Sequence, residues 1–474
     1  MPKTLRRLLF ALAGAAGVLL LMALAVRLFF DINAYKPRVE AAASRSLGMV
    51  VTVEGPLGIG FTPALQVTLE NVRVHHRGTE IAFVKAIDLT IPILPLLRQE
   101  IRYDDIATRG ARISIVRSRE GRYNYERTDG VPAAFHALDL KSVSFADLIV
   151  AFSDQITGGG FESTGCRGGL KDMRHPGDAP FLRRLSLSGE FACREVRGKN
   201  STVSDLTFSV AATDGVFDFK PVTLRAFGGD GSATLRIDRS AEIPTFEVHY
   251  ALSKLHIEEF FKPQASGKSV SGQMNFSTTL TLRGKTRVDM KQSAQGEMSL
   301  SGQNLVLGGV DLDKQLPKYE SSQNFNLLDV GALLFAGPIG LAVTKGVELT
   351  SLAQPAGGST QIRTLVSVWK VEKGVAYAQD VALATPQQRL ALHGGLDFVG
   401  NKYQDVTVAL VDSNGCARVR QKIAGPFNQP AAEKSAILVS VGPVMNLVDK
   451  ARKLFSGGDS KCEVFYRGSV AAPK

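Results

Sequence analysis

The sequence predicts a mainly β chain that follows an N-terminal transmembrane helix. The first observation is an uninterrupted apolar run from Leu8 to Val26, which contains no charge and no proline. The second is the repeated alternation of apolar and polar residues after residue 50, a pattern typical of strands with one buried face. Roughly 20 such segments follow one another, separated by polar or glycine-containing turns.

The apolar run is long enough to cross a bilayer, which takes about 20 residues of helix. Lys3, Arg6 and Arg7 precede it, so the positive-inside rule places the N-terminus in the cytoplasm and everything from residue 31 onward on the other side. Residues 1–30 are therefore predicted to be the cytoplasmic N-terminus and the membrane anchor. The anchor residues that we single out are Leu8, Leu12, Val18, Leu20, Leu24, Val26 and Phe29.

A cleaved signal peptide is the alternative interpretation of this run. Ala23-Leu24-Ala25 resembles the small-residue site at which signal peptides are cleaved. The apolar segment of a signal peptide is only about 7–15 residues long, however. The present run also continues into Leu28-Phe29-Phe30. We favour the uncleaved anchor, and both interpretations export the rest of the chain.

The charge of the chain bears on its partners. Lys and Arg number 56 against 45 Asp and Glu, which gives a net charge of +11. An exported protein is not expected to meet nucleic acid, so an anionic lipid or membrane surface is the more plausible partner. A solvated basic surface without any partner explains the charge equally well.

Four cysteines are present, at Cys166, Cys193, Cys416 and Cys462. An even number in an oxidising compartment predicts disulfides, and three pairings are conceivable. Pairing of sequence neighbours would keep each bridge within one region. No C-x-x-C spacing occurs, which argues against a zinc site or a thioredoxin-type redox motif.

Short helices and one loop interrupt the predicted strands. A helix is expected from Asp31 to Leu47, because Pro37 is tolerated in a first turn and Gly48 is a typical helix end. The glycine-rich and polar segment Asp154 to Pro180 is predicted to be a loop that holds Cys166. Further helices are predicted at Ile257 to Lys262, Leu327 to Val343 and Val444 to Phe455.

The sequence contains no pattern that predicts an enzyme, a metal site or a cofactor. His75 and His76 are the only adjacent histidines, and a metal site would need further ligands. There is no G-x-S-x-G motif. Gly267-Lys268-Ser269 resembles the end of a P-loop, but Lys262 stands where that motif requires glycine. We therefore expect no catalytic residue and no cofactor.

The apolar face of so many strands has to be covered. A second sheet can cover it, as in a β-sandwich, and base rates favour that solution. A bound hydrophobic ligand can also cover it, if the sheet curls into a trough. The residues alone leave both solutions open.

Two groups of motifs stand out, one at each end of the chain. The N-terminal group comprises DINAYKP at 31–37, LG at 47–48, VTVEG at 51–55, LENV at 69–72, ILPLL at 93–97, ISIVR at 113–117 and GRYNY at 121–125. The C-terminal group comprises DVTVALVD at 405–412, GCA at 415–417, QKIAGPF at 421–427 and CEVFYRGSV at 462–470. Together these motifs resemble the AsmA family of bacterial envelope proteins. The middle of the chain matches the family only in its β character.

The resemblance implies a domain organisation and favours the trough over the sandwich. The implied fold is mainly β, with the N-terminal transmembrane helix followed by an elongated, curled antiparallel β-sheet groove with a few short helices. Residues 31–134 would form a chorein-like αβ region, 135–290 a central β region and 291–474 a C-terminal AsmA-like β region with helices. The resemblance also implies a bridge between Cys416 and Cys462. The residues expected to line the groove are Leu65, Val67, Leu69, Ile81, Phe83, Ile87, Leu89 and Ile91.

The resemblance further implies a function in the bacterial envelope. The expected protein is anchored in the inner membrane by a single helix, with its body in the periplasm. It would bind or conduct phospholipid in its groove between the inner and outer membranes, with the acyl chains as its ligands. The alternative is a periplasmic assembly or scaffold factor for outer-membrane proteins or lipopolysaccharide that carries no lipid. Other envelope proteins are conceivable partners in either case.

Overall fold

Strands dominate the computed structural model, which describes residues 32–60, 64–92, 104–126, 138–177, 181–199, 201–260, 269–322, 358–432 and 464–473. These residues contain 21 strands and a few short helices, so the mainly β fold is confirmed. The predicted anchor, residues 1–30, lies outside the described residues. None of the described helices has the length and apolar character needed to span a bilayer.

The strands are numbered in chain order. They are β1 (Val50–Val53), β2 (Leu57–Gly60), β3 (Leu65–His76), β4 (Thr79–Ile91), β5 (Asp105–Arg117), β6 (Leu138–Asp154), β7 (Gly159–His175), β8 (Ser186–Gly198), β9 (Thr202–Thr213), β10 (Val216–Ala226), β11 (Gly229–Asp238), β12 (Thr245–His256), β13 (Ser269–Ser271), β14 (Gln273–Arg283), β15 (Gln295–Gly308), β16 (Ser359–Glu372), β17 (Val375–Ala384), β18 (Arg389–Asp397), β19 (Lys402–Val411), β20 (Ala417–Ala424) and β21 (Ala431–Ala432). The α-helices are Lys36–Leu47, Ile257–Phe260, Arg287–Ser293 and Leu312–Ser322, and 3-10 helices occupy Ile32–Tyr35 and Phe181–Arg183.

The predicted N-terminal helix is confirmed. Pro37 lies in its first turn, where the missing N–H would have no partner within the helix anyway. Gly48 ends the helix with a φ of 67° and donates its N–H to the Ser44 carbonyl at 2.9 Å. The helix predicted at Ile257 is confirmed over Ile257–Phe260. The helices predicted within 327–343 and 444–455 lie outside the described residues.

The chain divides into two compact units. The first unit contains Met1–Asp178 and Val196–Lys199, and the second contains Ala179–Glu195 and Asn200–Lys474. In the first unit, β1 and β2 both pair antiparallel with β3, and the sheet continues from β3 through β4, β5, β6 and β7. The helix Lys36–Leu47 packs against β1 through Val39 and Ala43.

One strand pair in the first unit departs from the predicted antiparallel arrangement. β5 and β6 pair in parallel, with Ile106 opposite Val143 and Ile115 opposite Phe152. Parallel neighbours need a long crossover connection, and residues 118–137 provide it. The alternation within each strand is the same for both directions, so it could not distinguish them.

The predicted loop from Asp154 to Pro180 is wrong. Most of it is β7, which pairs antiparallel with β6 along nearly its whole length. Its glycines allow the close approach of β6, because a Cβ on Gly160 would collide with the carbonyl oxygen of Phe152. The glycine content therefore reflects tight strand packing in this segment.

In the second unit the strands form one antiparallel series. It runs from β9 through β10, β11, β12, β14, β15, β16, β17, β18, β19 and β20 to β21, and the short β13 pairs with β15 as well. No pairing among the described residues closes this series on itself. The sheet is therefore open over the described part of the chain.

The core of the second unit lies on one face of β12 to β20. Trp369, Leu365 and Ile362 are each 0% exposed there. The helix Leu312–Ser322 adds Leu312 and Leu316 to the same core, and its start is fixed by the Leu312 N–H, which donates to the Thr360 hydroxyl at 2.8 Å. The apolar face of this part of the sheet is filled by the chain's own side chains.

Disulfides occur as expected for an exported chain. Cys166 and Cys193 form a disulfide, which is the pairing of sequence neighbours. Cys416 is also disulfide-bonded, and its predicted partner Cys462 lies outside the described residues.

Candidate binding surface

Six of the eight predicted groove residues lie opposite one another on β3 and β4. Leu65 faces Ile91, Val67 faces Leu89 and Leu69 faces Ile87. Leu69 is 7% exposed, whereas the other five are only partly buried. β2 extends this surface, because Leu57 lies opposite Leu69 and Ile59 opposite Val67.

The structure does not bring the other two candidates, Ile81 and Phe83, into this cluster. Leu69 and Val72 both belong to the cluster although they are three residues apart, and so do Val84 and Ile87. Residues an odd number of positions apart would lie on opposite faces of a regular strand. The alternation between the two faces is therefore shifted by one residue between Leu69 and Val72 in β3, and between Val84 and Ile87 in β4. Asn71, with a φ of 51°, lies at the shift in β3.

Phe83 lies in a charged environment instead. The guanidinium of Arg73 stands 4.9 Å from the centre of its ring. Arg73 also pairs with Glu80 at 2.5 Å and with Glu54 at 3.0 Å. The hydrogen bonds that the guanidinium donates to these two carboxylates raise the pKa of Arg73, with Glu80 as the larger cause. Phe83 is thus packed beneath an ion-pair network and does not line an apolar groove.

A larger apolar surface lies in the second unit, on β9, β10, β11, β12 and β14. Its central row follows the strand register, with Val210 opposite Phe219, Phe219 opposite Leu235, Leu235 opposite Val248 and Val248 opposite Leu280. A second row beside it contains Ala212, Phe217, Ile237, Phe246 and Leu282. A third contains Phe208, Val222, Ala233 and Tyr250. We call these three rows the apolar strip.

The residues of the apolar strip are less buried than the core that follows it. Apart from Val210 and Ala212, they are all partly exposed. Further along the same face, Met274 on β14, Leu300 on β15 and Trp369 on β16 are at most 1% exposed. Tyr250, Leu280 and Leu282 pack against that core and form the border of the strip. Burial raises the pKa of the Tyr250 phenol. The apolar face is thus continuous. It is filled from Leu252 on β12 and Met274 and Phe276 on β14 through to β20, whereas most of the strip is only partly buried.

The opposite face of the same strands is polar. Asp218 lies opposite Arg236, which lies opposite Glu247 in the next strand. The Arg236 guanidinium binds the Asp218 carboxylate at 2.9 Å. Thr234, His249 and Thr279 form a further polar row across β11, β12 and β14. Polar side chains need no apolar cover, so the strip is the side that an apolar partner would cover.

Sequence reasoning noted the alternation in these strands without selecting them as a site. Alternation shows that a strand has an apolar face. It does not show whether that face is filled by another part of the chain. The distinguishing observation is the difference in burial between the strip and the core, which occurs even within β14, where Met274 is 1% exposed and Leu280 is partly exposed. This difference depends on packing between distant segments.

Residues suited to metal binding are not gathered in the part of the chain that the structure describes. No group of three or more His, Cys, Asp or Glu side chains is close enough there to hold a metal ion. His75 lies 3.9 Å from Glu80, which is already held by Arg73.

A family model for the AsmA family matches residues 1–129 and 182–381 of the chain. The chain belongs to the AsmA family. The second matched segment contains all of the apolar strip, including strands that had shown only a general β character. The C-terminal motifs between 405 and 470 lie beyond the match. No curated protein matches the chain significantly.

Proposed function

We propose that this AsmA-family protein is an envelope-biogenesis factor that binds or conducts phospholipid between the inner and outer membranes. In this proposal the body lies in the periplasm, anchored to the inner membrane by residues 1–30, and acts by binding without catalysing a reaction. The observation that carries the proposal is the apolar strip, a continuous and partly exposed apolar surface. Family membership supports the envelope role.

The dimensions of the strip suit an acyl chain. Two of its rows cross five strands, and neighbouring strands are about 4.8 Å apart, so each of these rows is about 19 Å long. One leaflet of a bilayer's hydrocarbon core is about 15 Å deep. Each methylene transferred from water contributes about 0.8 kcal/mol, so one chain on the strip gains on the order of 10 kcal/mol before the cost of ordering it.

The apolar surface of the first unit is a second, smaller place for a chain. Val67, Ile87 and Leu89 are partly exposed there, although the helix Lys36–Leu47 covers the adjacent Val51 and Val53. These residues are part of the predicted groove. We include them in the lipid path as a proposal.

The filled core of the second unit favours the alternative function for that part of the molecule. A sheet that fills its own apolar face has no room for a lipid, and it suits a scaffold that binds envelope proteins. If the whole chain acted in this way, it would carry no phospholipid. The same experiment therefore decides between the two functions.

The test places charges on the strip of the full-length protein. Leu235→Glu/Leu280→Glu puts two carboxylates on the strip, on β11 and β14, with β12 between them. Thr234→Glu/Thr279→Glu puts the same two charges on the polar face, in the same strands and at the same spacing. Phospholipid that co-purifies is counted by mass spectrometry, and the transfer of a fluorescent phospholipid between vesicles is followed.

We expect the strip variant to lose at least about tenfold in bound and transferred lipid, since a buried carboxylate opposes an acyl chain by more than 1.4 kcal/mol. The polar-face variant should behave as the wild type. If the wild type carries no phospholipid, or if both variants lose it equally, the lipid function is wrong and the scaffold function takes its place.

A further inference from the structure

A basic pocket opens at one end of the apolar strip. It has a volume of about 400 Å³, which lies within the range of small-molecule sites, about 300–1,000 Å³. Arg183, Arg239 and Lys285 supply its cations, Glu242 its carboxylate, and Phe246 and Met290 its apolar wall. All of these residues belong to the second unit.

Phe246 belongs to the pocket and to the strip at once. It lies opposite Ile237 on one side and Leu282 on the other, in the second row of the strip. Arg239 and Glu242 lie in the turn between β11 and β12, and Lys285 follows the end of β14. The pocket therefore lies beside the second row, and an apolar chain that reaches the strip at Phe246 has the cations of these turns next to its first carbons.

Backbone hydrogen bonds connect the turns that carry the cations. The Arg239 N–H donates to the Gly215 carbonyl at 2.9 Å, and the Gly215 N–H donates to the Leu185 carbonyl at 3.1 Å. Gly215 is packed so tightly beneath the 3-10 helix Phe181–Arg183 that a Cβ there would collide with the Arg183 carbonyl. The backbones of Arg183 and Arg239 are thus held by the same turn.

The balance of charge in the pocket favours an anion. Lys285 binds Glu242 at 2.5 Å, so these two charges compensate each other. The hydrogen bond from Lys285, with a further contribution from Arg183, lowers the pKa of Glu242 and keeps it ionised. Arg183 and Arg239 form no ion pair with any residue that the structure describes. Two guanidinium groups therefore remain to bind an anion, and guanidinium geometry matches phosphate well.

We propose that this pocket binds the phosphate head group of a lipid whose acyl chain lies on the apolar strip. Arg183 and Arg239 bind the phosphate, and Phe246 and Met290 contact the first carbons of the chain. The proposal rests on the proposed lipid function and assigns a binding site to the phosphate of the lipid. It also gives the bound lipid a direction, with its head at the β11–β12 turn.

The test compares Arg183→Gln/Arg239→Gln with a matched pair, Arg194→Gln/Arg225→Gln, in the full-length protein. Arg194 and Arg225 are exposed, and their replacement removes the same charge outside the pocket. Three probes are used: dioleoylphosphatidylglycerol, dioleoylglycerol with the same chains but no phosphate, and inorganic phosphate. Uptake of the two lipids from vesicles and binding of phosphate by calorimetry are measured.

We expect the pocket variant to take up at least about tenfold less phosphatidylglycerol, a loss of about 1.4 kcal/mol, while its uptake of dioleoylglycerol stays within about twofold. The matched variant should take up both lipids as the wild type does. Inorganic phosphate should bind the wild type at least about a hundredfold more weakly than the lipid, because it gains nothing from the strip.

Three results would overturn the assignment, and each has a different meaning. If the pocket variant takes up phosphatidylglycerol normally, the head group binds elsewhere while the lipid function stands. If inorganic phosphate binds as tightly as the lipid, the pocket is a site for free phosphate. If the wild type takes up neither lipid, the proposed function itself fails.

Discussion

Single residues with left-handed backbone conformations decide which face each strand presents. Asn71 has a φ of 51°, Lys254 of 55° and Asn304 of 53°, and all three lie within strands. Beside Lys254, Leu252 and Leu255 are both buried although they are three residues apart. Side chains therefore do not alternate strictly between the two faces of the sheet at these points. This is why sequence reasoning placed Phe83 on the same face as Ile87.

The sequence does contain a signal for such shifts, but a weak one. Asparagine adopts the left-handed conformation more readily than most residues, yet it also occurs at turns and on exposed surfaces. Lysine carries no such preference at all. The groove residues predicted on one side of Asn71, and those opposite them on β4, share a face, whereas Ile81 and Phe83 do not belong to that face.

Asn71 offers a direct test at the residue scale. Asn71→Val places a β-branched side chain in the left-handed region, which costs about 1–2 kcal/mol. Asn71→Gly accepts the same backbone and should keep the free energy of unfolding to within about 0.5 kcal/mol. Hydrogen exchange of the β3 and β4 amides measures both variants. Equal protection in the two would show that the shift does not depend on Asn71.

Among the elements, the C-terminal segment 464–473 has the most specific attachment. The Tyr466 hydroxyl donates to the Asp380 carboxylate at 2.6 Å and accepts the Val470 N–H at 3.0 Å. Arg389, 6% exposed, donates to the Val470 carbonyl at 3.0 Å and stands 5.5 Å from the Tyr466 ring. The segment thereby covers the face of β17 to β19 that is opposite the large core.

Because of this attachment, the free energy of unfolding should decrease when the pH becomes strongly alkaline. Burial first, and the hydrogen bond to Asp380 second, raise the pKa of the Tyr466 phenol above that of the unfolded chain. The resulting stabilisation is complete below about pH 10 and is lost as the pH rises towards the folded pKa. Tyr403, whose pKa burial raises to about 12, behaves in the same way.

We therefore expect Tyr466→Phe to lower the free energy of unfolding by about 1–2 kcal/mol at pH 8, through the lost hydrogen bonds. The difference from the wild type should shrink by about pH 11, because only the wild type loses the Tyr466 contribution there. Urea unfolding at the two pH values measures this difference in the free energy of unfolding. The ionisation of Tyr403 affects both proteins equally, so it does not contribute to the difference. A difference that stays constant or grows would contradict the assigned hydrogen bonds.

How well sequence reasoning predicted an element depended on whether the signal was local. Pro37 and Gly48 bound a helix whose ends are set by backbone chemistry alone, and that helix was predicted correctly. β7 was missed because glycine signals both loops and closely packed strands. The parallel pairing of β5 with β6 is a property of the connection between them, which no alternation pattern records.

At the scale of the whole molecule, the important contrast is between filled and partly exposed parts of one apolar face. Ile362 and Leu365 are 0% exposed, whereas Leu235 and Val248 keep part of their surface in contact with water. All four are apolar residues in alternating strands, so sequence alone could not separate them. The separation follows from tertiary packing, and it distinguishes residues that stabilise the fold from residues that are available to a ligand.

Alanine substitution should separate these two roles. Ile362→Ala removes a fully buried side chain and should cost about 2–5 kcal/mol. Leu235→Ala removes a partly exposed one from the strip and should cost about 1 kcal/mol. Trp369 is the only tryptophan, it is 0% exposed, and its Nε1–H donates to the Ser367 hydroxyl at 2.7 Å, so its fluorescence reports the unfolding of this core alone.

Ile362→Ala should then affect mainly stability, and Leu235→Ala should affect mainly lipid uptake. Ile362→Ala should shift the urea midpoint of Trp369 fluorescence strongly and leave lipid uptake at low urea unchanged, because it lies outside the strip. Leu235→Ala should barely shift the midpoint and should reduce uptake, because it removes methylenes that contact the acyl chain. If Leu235→Ala destabilises the core as much as Ile362→Ala does, the strip is packed as tightly as the core, and a hydrocarbon chain has no place on it.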